Sequence, residues 1–182
     1  MRLLFLVLCM AATGAAAQNP TFGDLTWGMD GEQAHRALTE DGWSATDQVD
    51  LHRYYRGTLL EREAVVVLVL PPASGLMSVS VTVSTDLDWD TAYTEFWTLH
   101  QDLASKYGRS TYLRNTFLPV THSSDRAKCE ALANDEAEYD VTWPDSGITL
   151  RVDENCDVAV IYRSEGYAEW FQSYTESRLG AF

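Results

Sequence analysis

The chain has 182 residues, with 27 Asp and Glu against 13 Lys and Arg, a formal charge of −14. Such a surface repels nucleic-acid phosphates and anionic lipid headgroups, so no nucleic-acid partner is expected, and it attracts cationic partners at low salt. Acidic surfaces also serve solubility alone, so the charge by itself leaves both uses open.

Met1-Arg2 begins the chain with one positive charge, Leu3 to Met10 follow as an apolar run, and Ala15-Ala16-Ala17 precede Gln18. A basic start, a short apolar middle and an A-x-A ending predict a secretory signal peptide over residues 1–17, cleaved between Ala17 and Gln18. The expected mature chain, 18–182, has 182 − 17 = 165 residues, enough for a single domain with one core. Loss of Arg2 leaves it at 12 − 27 = −15. The leader is too short to cross a bilayer, and no later stretch supplies about 20 apolar residues in a row, so no membrane span is expected. A periplasmic or secreted bacterial protein is the expectation. Cys9 leaves with the leader, and Cys129 and Cys156 remain. An even count in an exported chain predicts a disulfide between them.

Asp30 is placed to cap a helix over Glu32 to Glu40 that carries Ala34, Ala37 and Leu38 on one side, with Gly42 as its stop. Leu51–Arg56 and Leu59–Leu70 read as strands, the second ending in the apolar run Ala64 to Leu70, which suits burial on both faces. Pro71 to Gly75 is turn chemistry. Met77, Val79, Val81 and Val83 then alternate with hydroxyl residues, the pattern of a strand covered on one side. Trp89, Tyr93, Phe96, His100, Leu103 and Tyr107 recur at helical spacing up to Gly108. Tyr112 to Val120 is predicted as a strand, and Asp125 to Asn134 as a short helix carrying Cys129. Tyr139 to Trp143, Ile148 to Val152 and Val158 to Tyr162 form a predicted three-stranded meander, followed by an aromatic helix with Tyr167, Trp170, Phe171 and Tyr174.

Helices separated by hairpin-linked strands predict an α+β fold, an antiparallel sheet covered on one face by helices. Asp24-Leu25-Thr26-Trp27 recurs as Asp86-Leu87-Asp88-Trp89, each ahead of a predicted helix. A duplicated helix-plus-meander unit and a chance match of three identities both account for it.

Asp86, Asp88 and Asp90 alternate before the long helix. They are weak metal candidates: an EF-hand loop wants a glycine at its sixth position and a glutamate at its twelfth, where this chain has Thr91 and Trp97. Carboxylates in front of a helix also cap it and oppose its dipole. His122-Ser123-Ser124-Asp125 holds the residue types of a hydrolase triad, but triads converge from distant positions. No metal-spaced histidine pair, nucleophile elbow, phosphate loop or dinucleotide fingerprint occurs, so no catalytic residue and no cofactor are assigned. Of the six tryptophans, Trp43 and Trp97 have the least constrained settings and are candidates for exposure at a binding surface.

Phe22-Gly23-Asp24-Leu25-Thr26-Trp27-Gly28-Met29-Asp30-Gly31-Glu32, with Lys106-Tyr107-Gly108 and the meander around Trp143, resembles a loose set of small exported bacterial proteins that begin with a Trp-Gly-Met pattern. That resemblance implies a fold similar to the helix-plus-sheet modules of periplasmic inhibitors and outer-membrane assembly lipoproteins. Asp30 stands where Ser is usual in that set, and Gln33 where an aliphatic residue is usual. The resemblance is structural and carries over no functional residue.

The expected function is a non-catalytic protein-binding module of the bacterial envelope, of inhibitor or adaptor type, engaging a cationic envelope or secreted protein. Two alternatives stand beside it. One is a hydrolase using His122, Ser123 or Asp125 with a distant partner; the other is a calcium-dependent envelope protein using Asp86, Asp88 and Asp90.

Overall fold

The Asp30 carboxylate accepts the backbone N–H groups of Glu32 and Gln33, both at 2.9 Å, and Gln33 Oε1 accepts the Asp30 N–H at 3.1 Å. This capping box starts α1 (Gly31–Glu40), one residue ahead of the expected start. The structure is a computed structural model that describes residues 21–119 and 121–179. The expected leader and its cleavage between Ala17 and Gln18 lie outside the described residues.

Four strands follow α1: β1 (Ser44–Val49), β2 (His52–Leu59), β3 (Arg62–Val69) and β4 (Ser78–Val83). Next come the long helix α2 (Trp89–Tyr107), the two-residue strand β5 (Arg114–Asn115) and α3 (Asp125–Ala133). β6 (Tyr139–Trp143), β7 (Ile148–Val152) and β8 (Val158–Arg163) form the meander, and α4 (Tyr167–Leu179) ends the described chain. The strands make one antiparallel sheet in the order β1-β2-β3-β4-β8-β7-β6-β5, so the fold is α+β.

The strands depart from the sequence expectation at four points. β1 was not foreseen. All six of its residues are exposed, so no buried periodicity announces it, and its hydrogen bonds to β2 define it. The strand expected from Leu59 to Leu70 starts instead at Arg62, because Leu60 and Glu61, both at positive φ (54° and 63°), form the hairpin turn between β2 and β3. Such turns favour glycine, asparagine or aspartate, and neither residue signals one. In β3, Ala64, Val66 and Leu68 are buried while Val65, Val67 and Val69 are half-buried, so its apolar run is not covered equally on both faces. The strand expected over 112–120 shrinks to β5.

Register divides the sheet into two unlike faces. Tyr55, Val66, Val81, Val160, Leu150 and Val141 form one continuous row across six strands, and all are buried. α1 and α2 pack on this side: His35 Nδ1 lies 3.3 Å from the Tyr55 hydroxyl, and the Phe96 ring packs edge-on against Tyr139 at 4.8 Å. Burying such aromatic and aliphatic surface is the main stabilising contribution, about 25 cal/mol per Å² removed from water. The opposite face carries the row Arg56, Val65, Thr82, Ala159, Arg151, Asp140 and Arg114.

Cys129 in α3 and Cys156 in the β7–β8 turn have their sulfurs 2.01 Å apart, at disulfide distance. This pair fastens the otherwise short α3 to the sheet. α4 is tied at both ends: the Arg163 guanidinium lies over the Tyr167 ring at 5.4 Å, and Arg178 Nη2 donates to Asp50 in the β1–β2 turn at 3.0 Å. No described helix is long and apolar enough to cross a membrane.

Candidate functional site

The face opposite α1 and α2 forms a concavity of about 350 Å³ over the β5–β8 half of the sheet. Its centre is the Arg114–Asp140 pair. Asp140 is 7% exposed, and its Oδ2 accepts both Arg114 Nε (2.8 Å) and Nη2 (2.7 Å). Arg114 Nη1 meets Glu138 at 2.9 Å. The bond and charge of Asp140 hold the guanidinium above its ordinary pKa, so Arg114 is locked as a cation. Antiparallel pairing puts Arg114 opposite Asp140 and Asp140 opposite Arg151, which is why residues distant in sequence share one row. Arg151 Nη2 lies 3.7 Å from Glu154.

Asp153 sits at the rim, 9% exposed. Burial pushes its carboxyl above the usual range, and the N–H groups of Asn155 and Asp157, which bond its Oδ1 at 2.9 and 3.0 Å, pull it back down. Five acidic residues and three arginines therefore line this concavity, with Arg114 paired to Asp140 and Glu138 and Arg151 near Glu154. The remaining charge at the site is negative, suited to receiving cationic side chains.

A second cleft, of about 660 Å³, lies between the C-terminal half of α2 and the 108–113 loop. Gly108 ends α2 at φ 81°, and the Trp143 indole donates to its carbonyl at 2.9 Å, fixing where the loop leaves the helix. Trp97, Ala104, Leu113 and Val141 give the cleft apolar walls. His100 Nε2 lies 3.0 Å from Ser110 Oγ, and the imidazole packs against Trp97 (5.0 Å) and Trp143 (5.5 Å). Burial lowers the His100 pKa, which favours the neutral ring.

The metal and triad candidates of the sequence line neither place. Asp86 and Leu87 occupy a turn at positive φ (57° and 60°). Asp88 stands at the α2 N-cap, but its carboxylate accepts the Thr91 hydroxyl at 2.6 Å instead of a backbone N–H. Among the described residues, no group of three or more His, Cys, Asp or Glu is arranged to hold a metal ion. His122 is buried and its Nδ1 accepts the Leu118 N–H at 3.1 Å, while Asp125 pairs with Lys128 and Ser123 is exposed. Ser124, not Ser123, caps α3. His122 and Asp125 thus serve local structure.

Trp43 is also not a surface anchor. At 7% exposure it packs against Phe22 and lies over Gly57, where even a Cβ would come within 2.6 Å of the indole. Trp97 is half-buried at the second cleft. Tyr112 is the aromatic that stands fully out, at 98% exposure. It lies in a segment with no periodicity of its own, so no sequence signal marked it. No family model, curated protein or solved structure matches this chain.

Proposed function

We propose that the protein is a binding module of the bacterial envelope, periplasmic or secreted, of inhibitor or adaptor type, which engages a cationic protein through the open face of β5–β8. The observation that carries this reading is the acid-rich concavity on the sheet face away from α1 and α2, with Glu138 and Glu154 more than half exposed at its edge. The ordered Arg114–Asp140 pair gives the surface a fixed shape, and the net charge of −14 favours encounter with a cationic partner. The leader-like start and the resemblance of the Trp-Gly-Met segment to exported proteins support the compartment.

The test is capture from periplasmic extract at low and high salt, with the double variant Glu138→Lys/Glu154→Lys alongside. Screening shortens from about 10 Å at 0.1 M salt to about 3 Å at 1 M, so a partner held by charge should be lost at high salt and by the double variant. Failure to recover any protein at low salt, or recovery indifferent to both changes, refutes the reading.

A further inference from the structure

We propose that the cleft between α2 and the 108–113 loop is a binding site for a small aromatic carboxylate. It lies on the helix-covered side of the sheet, apart from the acidic concavity, and goes beyond the protein-binding reading. At about 660 Å³ it falls in the range of small-molecule sites, roughly 300–1,000 Å³. Apolar surface predominates in its lining, and His100, Arg109, Ser110 and Thr111 supply polar groups, the usual composition of such a site.

Charge selects the ligand class. No Asp or Glu lines this cleft, although the chain has 27 of them. Arg109 lines it, is exposed, and makes no ion pair among the described residues. An uncompensated guanidinium beside apolar walls in an otherwise acidic protein matches a ligand with a carboxylate at one end and an apolar body. Arg fits a carboxylate through two parallel N–H bonds, and the Ser110 hydroxyl, held by His100, adds a neutral donor or acceptor beside it. Trp97 offers an aromatic surface to the body of the ligand, which favours a planar ring over a flexible chain.

The probe is naphthoate, titrated into the full chain by calorimetry and tryptophan fluorescence, with naphthamide as its uncharged counterpart. Naphthoate should saturate one site and bind more tightly than naphthamide. Arg109→Gln, a surface change, should weaken naphthoate about tenfold, the scale of one charge-assisted bond, and leave naphthamide unchanged. Ala104→Phe should fill the cleft and abolish binding of both probes. The proposal is overturned if naphthoate shows no saturable binding at millimolar concentration, if acid and amide bind equally, or if Ala104→Phe binds like the parent. Should Ala104→Phe lower the melting temperature, the Arg109→Gln comparison decides alone.

Discussion

Val81 of β4 lies opposite Val160 of β8, and this pair joins the two halves of the sheet. On each side a helix precedes four strands, and the order β1-β2-β3-β4-β8-β7-β6-β5 places the fourth strand of each half at the centre. The repeated Asp-Leu-x-Trp segment does not occupy equivalent places in this arrangement. Trp27 lies four residues before α1, while Trp89 is the first residue of α2. The symmetry is one of topology, and the tetrapeptide match does not mark it.

Phe96 has no exposed surface and packs between Tyr139 at 4.8 Å and Trp97 at 5.5 Å. Truncation here removes a ring from the layer between α2 and the sheet and leaves a cavity. Phe96→Ala should cost about 3–5 kcal/mol, read as a lower urea midpoint with an unchanged denaturant slope.

The Cys129–Cys156 pair closes a loop spanning 27 positions. Restricting the unfolded chain by such a loop is worth about 3–4 kcal/mol in the chain-entropy account. The double variant Cys129→Ser/Cys156→Ser should unfold at a lower denaturant concentration. The parent treated with reductant should move to the same midpoint, since both lose the same crosslink.

Burial pushes the Tyr139 hydroxyl from its ordinary 10.0 up to about 12, opposed in part by the neighbouring Trp97 side chain. Above pH 10 the unfolded chain releases this proton and the folded chain keeps it, so unfolding is favoured increasingly as pH rises through about 12. Tyr162 is shifted the same way by burial. Melting temperature followed from pH 8 to 12 should fall steeply above pH 10, and less steeply in Tyr139→Phe than in the parent.

Asp153 is raised chiefly by burial. Its protonated form is preferred in the fold, so the stability it contributes is complete below the ordinary carboxyl value of 3.8 and is lost as pH rises through its raised pKa. Asp153→Asn retains a carbonyl oxygen for the Asn155 and Asp157 N–H groups without a charge to desolvate. At pH 7 this variant should melt above the parent, and the difference should shrink as the pH approaches 3. A parent that melts higher throughout would show that the charge itself stabilises the turn.

Local chemistry in the chain was enough to read several elements. The α1 cap at Asp30, the run of α2 to Gly108, the meander from Tyr139 and the pairing of Cys129 with Cys156 each rest on spacing within a few turns or on parity of count, and each is present in the fold. Side-chain periodicity reports such elements because each buries one face. β1 escaped because an exposed edge strand has no buried face and exists through its ladder with β2. The Leu60–Glu61 turn escaped because its residues are not those that favour positive φ. Arg114 meets Asp140 only because β5 pairs with β6, and His100 meets Ser110 only because the chain doubles back at Gly108. Contacts of this kind depend on register and chain reversal, which spacing along a single strand or helix does not encode, so tertiary structure alone decided where both candidate sites lie.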